Sequence, residues 1–144
     1  MSVKILSTEE SEELIKATCD AVHARAKRLF TWASDQARFG EAERWHSFIA
    51  EFRADQPFVG DCDDFMCTCA DALIDELIPE ELISYATCMT ESGELHAVLV
   101  VSGIWVLDNR QQKVRHITTL PYSWDRVMAF SEPGTWRAMG EEKV

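Results

Sequence analysis

Residues 84–108, SYATCMTESGELHAVLVVSGIWVLD, decide the fold. Glu91-Ser92-Gly93-Glu94 separates the apolar-rich run at 84–90 from that at 95–101, and Ser102-Gly103 separates the latter from IWVLD at 104–108. Short runs of β-branched and aromatic residues between turn formers predict antiparallel strands joined by tight connections. KVRHIT at 113–118 adds a further strand after the turn Asn109 to Gln112. In the run 95–101, His96, Val98 and Val100 fall on one face and Ala97, Leu99 and Val101 on the other. Neither face is polar, so both are expected to be covered and the sheet to pack on helices.

The helices lie upstream. Ser7-Thr8-Glu9-Glu10 has the S-x-x-E form in which hydroxyl and carboxylate each satisfy a backbone donor at a helix start. From there Leu14, Thr18, Ala21, Val22, Arg25 and Leu29 keep a 3.6-residue rhythm and predict a helix over 8–34. After Arg38-Phe39-Gly40, the spacing of Trp45, Phe48, Ile49 and Phe52 predicts a second helix over 41–53. Pro57 and Gly60 favour turn or extended backbone, and Asp61 is the expected N-cap of a third helix over 62–77, before Pro79. The tail from Leu120, with Tyr122, Trp124, Phe130 and Trp136 among Pro121, Pro133 and Gly134, reads as irregular chain folded over the body. The fold class is therefore α+β, N-terminal helices packed on an antiparallel sheet. Residues 1–144 form one domain without repeats, linkers or low-complexity stretches.

With 14 Lys+Arg against 25 Asp+Glu, the 144-residue chain carries a net charge of −11. No basic patch exists beyond Arg25, Lys27 and Arg28, so nucleic acid is excluded as a partner, and a basic or neutral peptide suits the acidic surface better. A content of 47% apolar and 10% aromatic residues excludes wholesale disorder. Residues 1–14 lack the apolar segment of a secretory signal, which predicts a cytoplasmic location. The longest apolar run, 97–107, is far short of the roughly 18 residues that span a bilayer, so no membrane partner is expected. Five cysteines, an odd number at irregular spacing, predict free thiols rather than a disulfide framework.

Three residues fall where chemistry would use them. Cys62 opens a helix, where unpaired N–H groups and the positive dipole end favour a thiolate. His96 is the polar exception in an apolar strand, and Asp108 ends the next one. If those strands pair across Ser102-Gly103, His96 and Asp108 miss direct opposition by one residue. An imidazole so placed can accept the thiol proton while the carboxylate orients the ring.

Gly60-Asp61-Cys62-Asp63-Asp64-Phe65, Leu95-His96-Ala97-Val98-Leu99 and Val106-Leu107-Asp108-Asn109 together resemble the bacterial transglutaminase-like cysteine peptidases. Their pattern is Gly-Asp-Cys-Glu-Asp-aromatic, then His in an apolar strand, then Leu-Asp-Asn. The resemblance runs from about Trp45 to Trp136. It implies a papain-like, transglutaminase-core fold, with Cys62 as nucleophile, His96 as general base and acid, and Asp108 as orienter. The implied reaction is cleavage of a peptide or isopeptide bond in a protein or peptide substrate through a thioester. The same triad would serve transglutamination or hydrolysis of peptidoglycan stem peptides, and a catalytically idle binding or virion-assembly module is the alternative class. Asp63 stands where Glu is usual, and the secretion signal of the family's periplasmic adhesin-cleaving members is missing. That suits a compact version of the kind phages encode, with a virion-associated location. Gln56, six residues before Cys62, has the spacing of the oxyanion glutamine of papain-like enzymes.

Carboxylates beside a thiolate oppose its formation, so Asp61, Asp63 and Asp64 call for an explanation. Helix-start chemistry is the simple one, with Asp61 as cap and the others facing the dipole. A bound calcium ion is the sharper one, although six to eight oxygens exceed what these residues supply. The triad itself requires no cofactor. Cys62, Cys67 and Cys69 do not have zinc spacing, and Cys67 and Cys69 are expected in the core. His23, His46 and His116 lack a partner pattern and read as surface or core residues, Trp45 and Trp105 as core aromatics, and nothing speaks to oligomeric state.

Overall fold

Ser7 caps the first helix as its sequence predicts: its Oγ accepts the Glu10 N–H at 3.1 Å, and Glu10 Oε1 accepts the Ser7 N–H at 2.9 Å. In the computed structural model, residues 5–33 and 45–139 are described. Helix α1 runs Thr8–Leu29 and buries Cys19, Val22, His23, Ala26 and Leu29, whereas Leu14, counted in the apolar stripe, is exposed. The helix stops short of the expected residue 34 because Phe30–Trp32 form a strand, β1, in parallel pairing with β2, Phe58–Gly60. Aromatic and β-branched side chains favour extended backbone, and Phe30 gains ring contacts with Phe58 and Phe65 there. Ser34, the Arg38-Phe39-Gly40 break and the predicted helix start at Glu41 lie outside the described residues.

Of the helix predicted over 41–53, the described residues are helical over Ile49–Arg53, α2. Its expected earlier turn is replaced by chain laid against α3, Cys62–Asp75. There Asp64 Oδ1 accepts the His46 N–H at 2.9 Å and Thr68 Oγ1 accepts the Phe48 N–H at 2.8 Å. Two side-chain acceptors one helical turn apart hold residues 46–48 outside the helix. Trp45, read as a core aromatic, is consequently 39% exposed, edge-on to Tyr85 and Trp136. Helix α3 ends at Asp75, with Glu76 as its C-cap, rather than at Leu77, which takes the left-handed conformation at φ 67°.

The six-stranded antiparallel sheet comprises β3 (Ile83–Met89), β4 (Leu95–Val101), β5 (Trp105–Leu107), β6 (Arg115–His116), β7 (Ser123–Ala129) and β8 (Trp136–Ala138). They are ordered β6-β5-β4-β3-β7-β8. The tail is thus not irregular: β7 pairs with β3 along its length, and β8 pairs with β7. Both faces of β4 are covered, by different means. Ala97, Leu99 and Val101 join the core beneath α1 and α3, while Val98 and Val100 pack under Leu120 and Tyr122. The expectation that the sheet packs on helices holds for one face, and chain after β6 covers the other. No helix of the described residues is long and apolar enough to cross a membrane.

Candidate active site

Cys62 is the first residue of α3, held by a reciprocal cap. Asp61 Oδ1 accepts the Asp64 N–H at 3.2 Å, and Asp64 Oδ2 accepts the Asp61 N–H at 3.1 Å. Asp64 is fully buried with both carboxylate oxygens bonded to backbone N–H groups. This close approach explains Gly60: a Cβ there would lie 2.7 Å from Asp64 Cβ and 2.8 Å from its Oδ2. Asp64 cannot retreat without losing its bonds. Gly60→Ala is therefore expected to destabilise the chain by about 1–3 kcal/mol, read as a lowered melting temperature.

On the sheet, His96 Nε2 lies 2.7 Å from Asp108 Oδ1, and both side chains are buried. The register explains how. Leu99 opposes Leu107 and Val101 opposes Trp105, so the connection spans Ser102, Gly103 and Ile104, with Ser102 and Gly103 at positive φ. His96 and Asp108 are thus displaced by two positions rather than one. An even displacement keeps both side chains on the same face, whereas the expected single-residue offset would have set them on opposite faces.

Both carboxylate oxygens and the carbonyl of Asp108 are bonded. Oδ1 also accepts the Arg110 N–H at 2.9 Å, and Oδ2 accepts the Tyr122 hydroxyl at 2.5 Å. From α1, the Nε2–H of His23 donates to the Asp108 carbonyl at 2.9 Å, and Lys27 Nζ donates to that of Asn109 at 2.6 Å. Burial alone would push the Asp108 carboxyl up. The His96 bond and charge, the Tyr122 hydroxyl and the Arg110 N–H outweigh it and hold the carboxyl below the usual range. Burial lowers His23 and keeps its ring neutral.

Cys62 is pushed the other way. Burial raises its thiol to about 12, Asp63 and then Asp61 push in the same direction, and the N–H groups of Ala97 and Asp63 only partly oppose them. Burial and the two carboxylates thus work against the thiolate that the helix end favours. The Ala97 contact also locates the sulfur. β5 pairs with β4 only at 99–101, so the β4 backbone at His96 and Ala97 runs past that ladder, and the thiol meets it there. Asp63→Asn is expected to lower the pH at which Cys62 ionises. Its alkylation by iodoacetamide at fixed pH near 8 should then speed up roughly threefold or more.

The structure brings together His96 and Asp108 and sets Cys62 against the residue following His96. Gln56 lies exposed on the turn between α2 and β2, its N–H donated to the Glu51 carbonyl. For calcium, Asp61 and Asp64 form the helix cap, and no group of three or more His, Cys, Asp or Glu converges on a metal position among the described residues. All five cysteines are free, with Cys69 in the core and Cys67 half-buried against it. Sequence reasoning missed Tyr122 and Arg110, whose signal lay in the supposedly irregular tail and in a turn. It also missed His23 and Lys27, whose one-turn spacing on α1 was the available clue.

Helices on one face of an antiparallel sheet, with a cysteine opening the central helix and abutting the histidine strand, are the arrangement of papain-like cysteine peptidases with a transglutaminase core. Residues 3–144 match the family described as bacterial transglutaminase-like cysteine proteinase, BTLCP, and the chain belongs to that family. Among solved structures it is similar to Legionella pneumophila LapG at 16% identity, with a TM-score of 0.67 over 87% of this chain and 69% of that one. The calcium-bound form of LapG aligns at 17% identity and TM-score 0.69, covering 87% and 69%. The EGTA-treated form aligns at 15% and 0.68, covering 90% and 70%. At these identities the likeness establishes the fold. No curated protein matches the chain by sequence.

Proposed function

We propose that Cys62, His96 and Asp108 are the nucleophile, the general base and acid, and the orienter of a peptidase that cleaves an amide bond in a protein substrate through a thioester. The observation that carries this reading is the buried 2.7 Å bond between His96 Nε2 and Asp108 Oδ1, one residue from the Ala97 N–H that Cys62 meets. An ionised Asp108 only accepts, so Nε2 carries the imidazole proton and Nδ1 keeps its lone pair. Nδ1 takes the thiol proton as Sγ attacks the substrate carbonyl. The Cys62 N–H is a donor for the resulting oxyanion, with Gln56 the candidate for a second. The imidazolium then protonates the departing amine, and water, deprotonated by His96, hydrolyses the thioester. Because burial and two acids hold Cys62 as a thiol, this proton transfer is what makes it a nucleophile near neutral pH.

The reading is tested by incubating the chain with a tryptic peptide library and following new amino termini by mass spectrometry. It expects cleavage by the wild type, an acyl adduct on Cys62 after acid quench, and neither in Cys62→Ala. Cleavage that persists in the variant overturns it. No step runs through calcium. Melting temperature and cleavage rate in millimolar calcium against EGTA test the calcium reading of Asp61, Asp63 and Asp64: a rise in either with calcium supports it, and coincidence of both removes it.

A further inference from the structure

The best-connected group outside Cys62, His96 and Asp108 is Tyr122. Its ring packs edge-on to His96 at 5.7 Å and covers one sheet face with Val98 and Val100. Its hydroxyl has one proton and two lone pairs. Arg110 Nη1 donates to the oxygen at 3.0 Å and Gln111 Nε2 at 3.2 Å. The Gln111 amide cannot turn round without loss, because its Oε1 accepts Arg115 Nη1 at 2.9 Å. With both lone pairs occupied by groups that only donate, the hydroxyl proton has one destination, Asp108 Oδ2 at 2.5 Å. Arg110 is itself held by two bonds to Glu91, at 3.2 and 2.9 Å, and its guanidinium lies 5.4 Å from the Tyr122 ring centre. A directed relay thus runs from Glu91 on the β3–β4 turn, through Arg110 after β5 and Tyr122 ahead of β7, to the carboxylate that holds His96.

Resting on the reading of Cys62 and His96 above, we propose that Tyr122, locked by Arg110 and Gln111, is a positioning residue: by filling Asp108 Oδ2 it leaves Oδ1 as the acceptor for His96 Nε2 and so fixes the imidazole with Nδ1 available to the thiol. Tyr122 touches neither substrate nor sulfur in this role and acts through Asp108. Without its hydroxyl, Asp108 can rotate and meets protonation at higher pH, since the lost bond favours the charged form.

The test is the rate of iodoacetamide reaction at Cys62 against pH in the wild type, Tyr122→Phe, Glu91→Gln and His96→Ala. Phenylalanine keeps the ring packing and removes only the hydroxyl. Tyr122→Phe is expected to lower the His96-dependent rate near neutral pH roughly tenfold, the scale of a hydrogen bond to a charged group, and to move the acid limb to higher pH. Glu91→Gln, at an exposed site, loosens Arg110 and should give a smaller shift of the same sign. It keeps the test open should Tyr122→Phe fail to fold. Tyr122→Phe and Glu91→Gln profiles that superimpose on the wild type, while His96→Ala loses the neutral-pH reaction, overturn the positioning role alone. A His96→Ala profile that superimposes on the wild type overturns the Cys62–His96 reading beneath it.

Discussion

His96→Ala is expected to reduce peptide cleavage about 10³–10⁴-fold, and Cys62→Ala to abolish it, with the double variant no worse than Cys62→Ala alone. The non-additivity follows from the mechanism: a base with no thiol to deprotonate contributes nothing, and a thiol held neutral by burial, Asp63 and Asp61 cannot attack without a base. Neither substitution touches the helix cap, which belongs to Asp61 and Asp64, so both variants should fold. Steady-state rates on a cleaved peptide check the first statement and thermal melting the second. Independent, additive losses would mean that the two side chains do not act as a unit.

The largest stability effect is expected elsewhere in the same motif. Asp64→Ala removes a fully buried carboxylate whose two oxygens hold the backbone N–H groups of His46 and Asp61. Both donors lose their acceptor, and the segment before α2 loses one of the three hydrogen bonds described between it and α3. A cost on the order of 3 kcal/mol follows, or roughly 10 °C in melting temperature for a chain of this size. Chemical denaturation measures it. A loss below about 1 kcal/mol would show that solvent or a rearranged cap replaces the carboxylate.

What could be read from the sequence was whatever rests on local pattern. The capping box at Ser7 names its own partner within three residues, Asp61 reads as the cap of α3 although its reciprocal bond with the buried Asp64 does not, and the apolar run 95–101 with its flanking turns gives β3, β4 and β5. His96 and Asp108 could be paired from that hairpin alone, although the length of the turn, and with it the face they share, needed the structure. Strand β7 could not be read. Ser123, Asp125 and Arg126 are exposed and only Met128 is buried, so its alternation is weak, and its pairing partner β3 lies far back in the chain. For the same reason Tyr122, between β6 and β7, seemed a cover for the core rather than a bond to Asp108. The shortened α2 was illegible on other grounds. Trp45, Phe48, Ile49 and Phe52 have helical spacing, but Asp64 and Thr68 on α3 capture the backbone donors that the first turn would have used. Basic residues grouped on α1 likewise serve long-range bonds: Arg25 to the Phe52 carbonyl, Lys27 to that of Asn109, and Arg28 to Asp55.

The central claim is that Cys62 becomes a nucleophile by passing its proton to His96. Measuring the iodoacetamide rate at each of the five cysteines near pH 7, in the wild type and in His96→Ala, tests it most directly. The account predicts that Cys62 alone reacts readily in the wild type and slows at least about tenfold in the variant, while Cys19, Cys67, Cys69 and Cys88 are unchanged. A Cys62 rate that is the same in both proteins would contradict it.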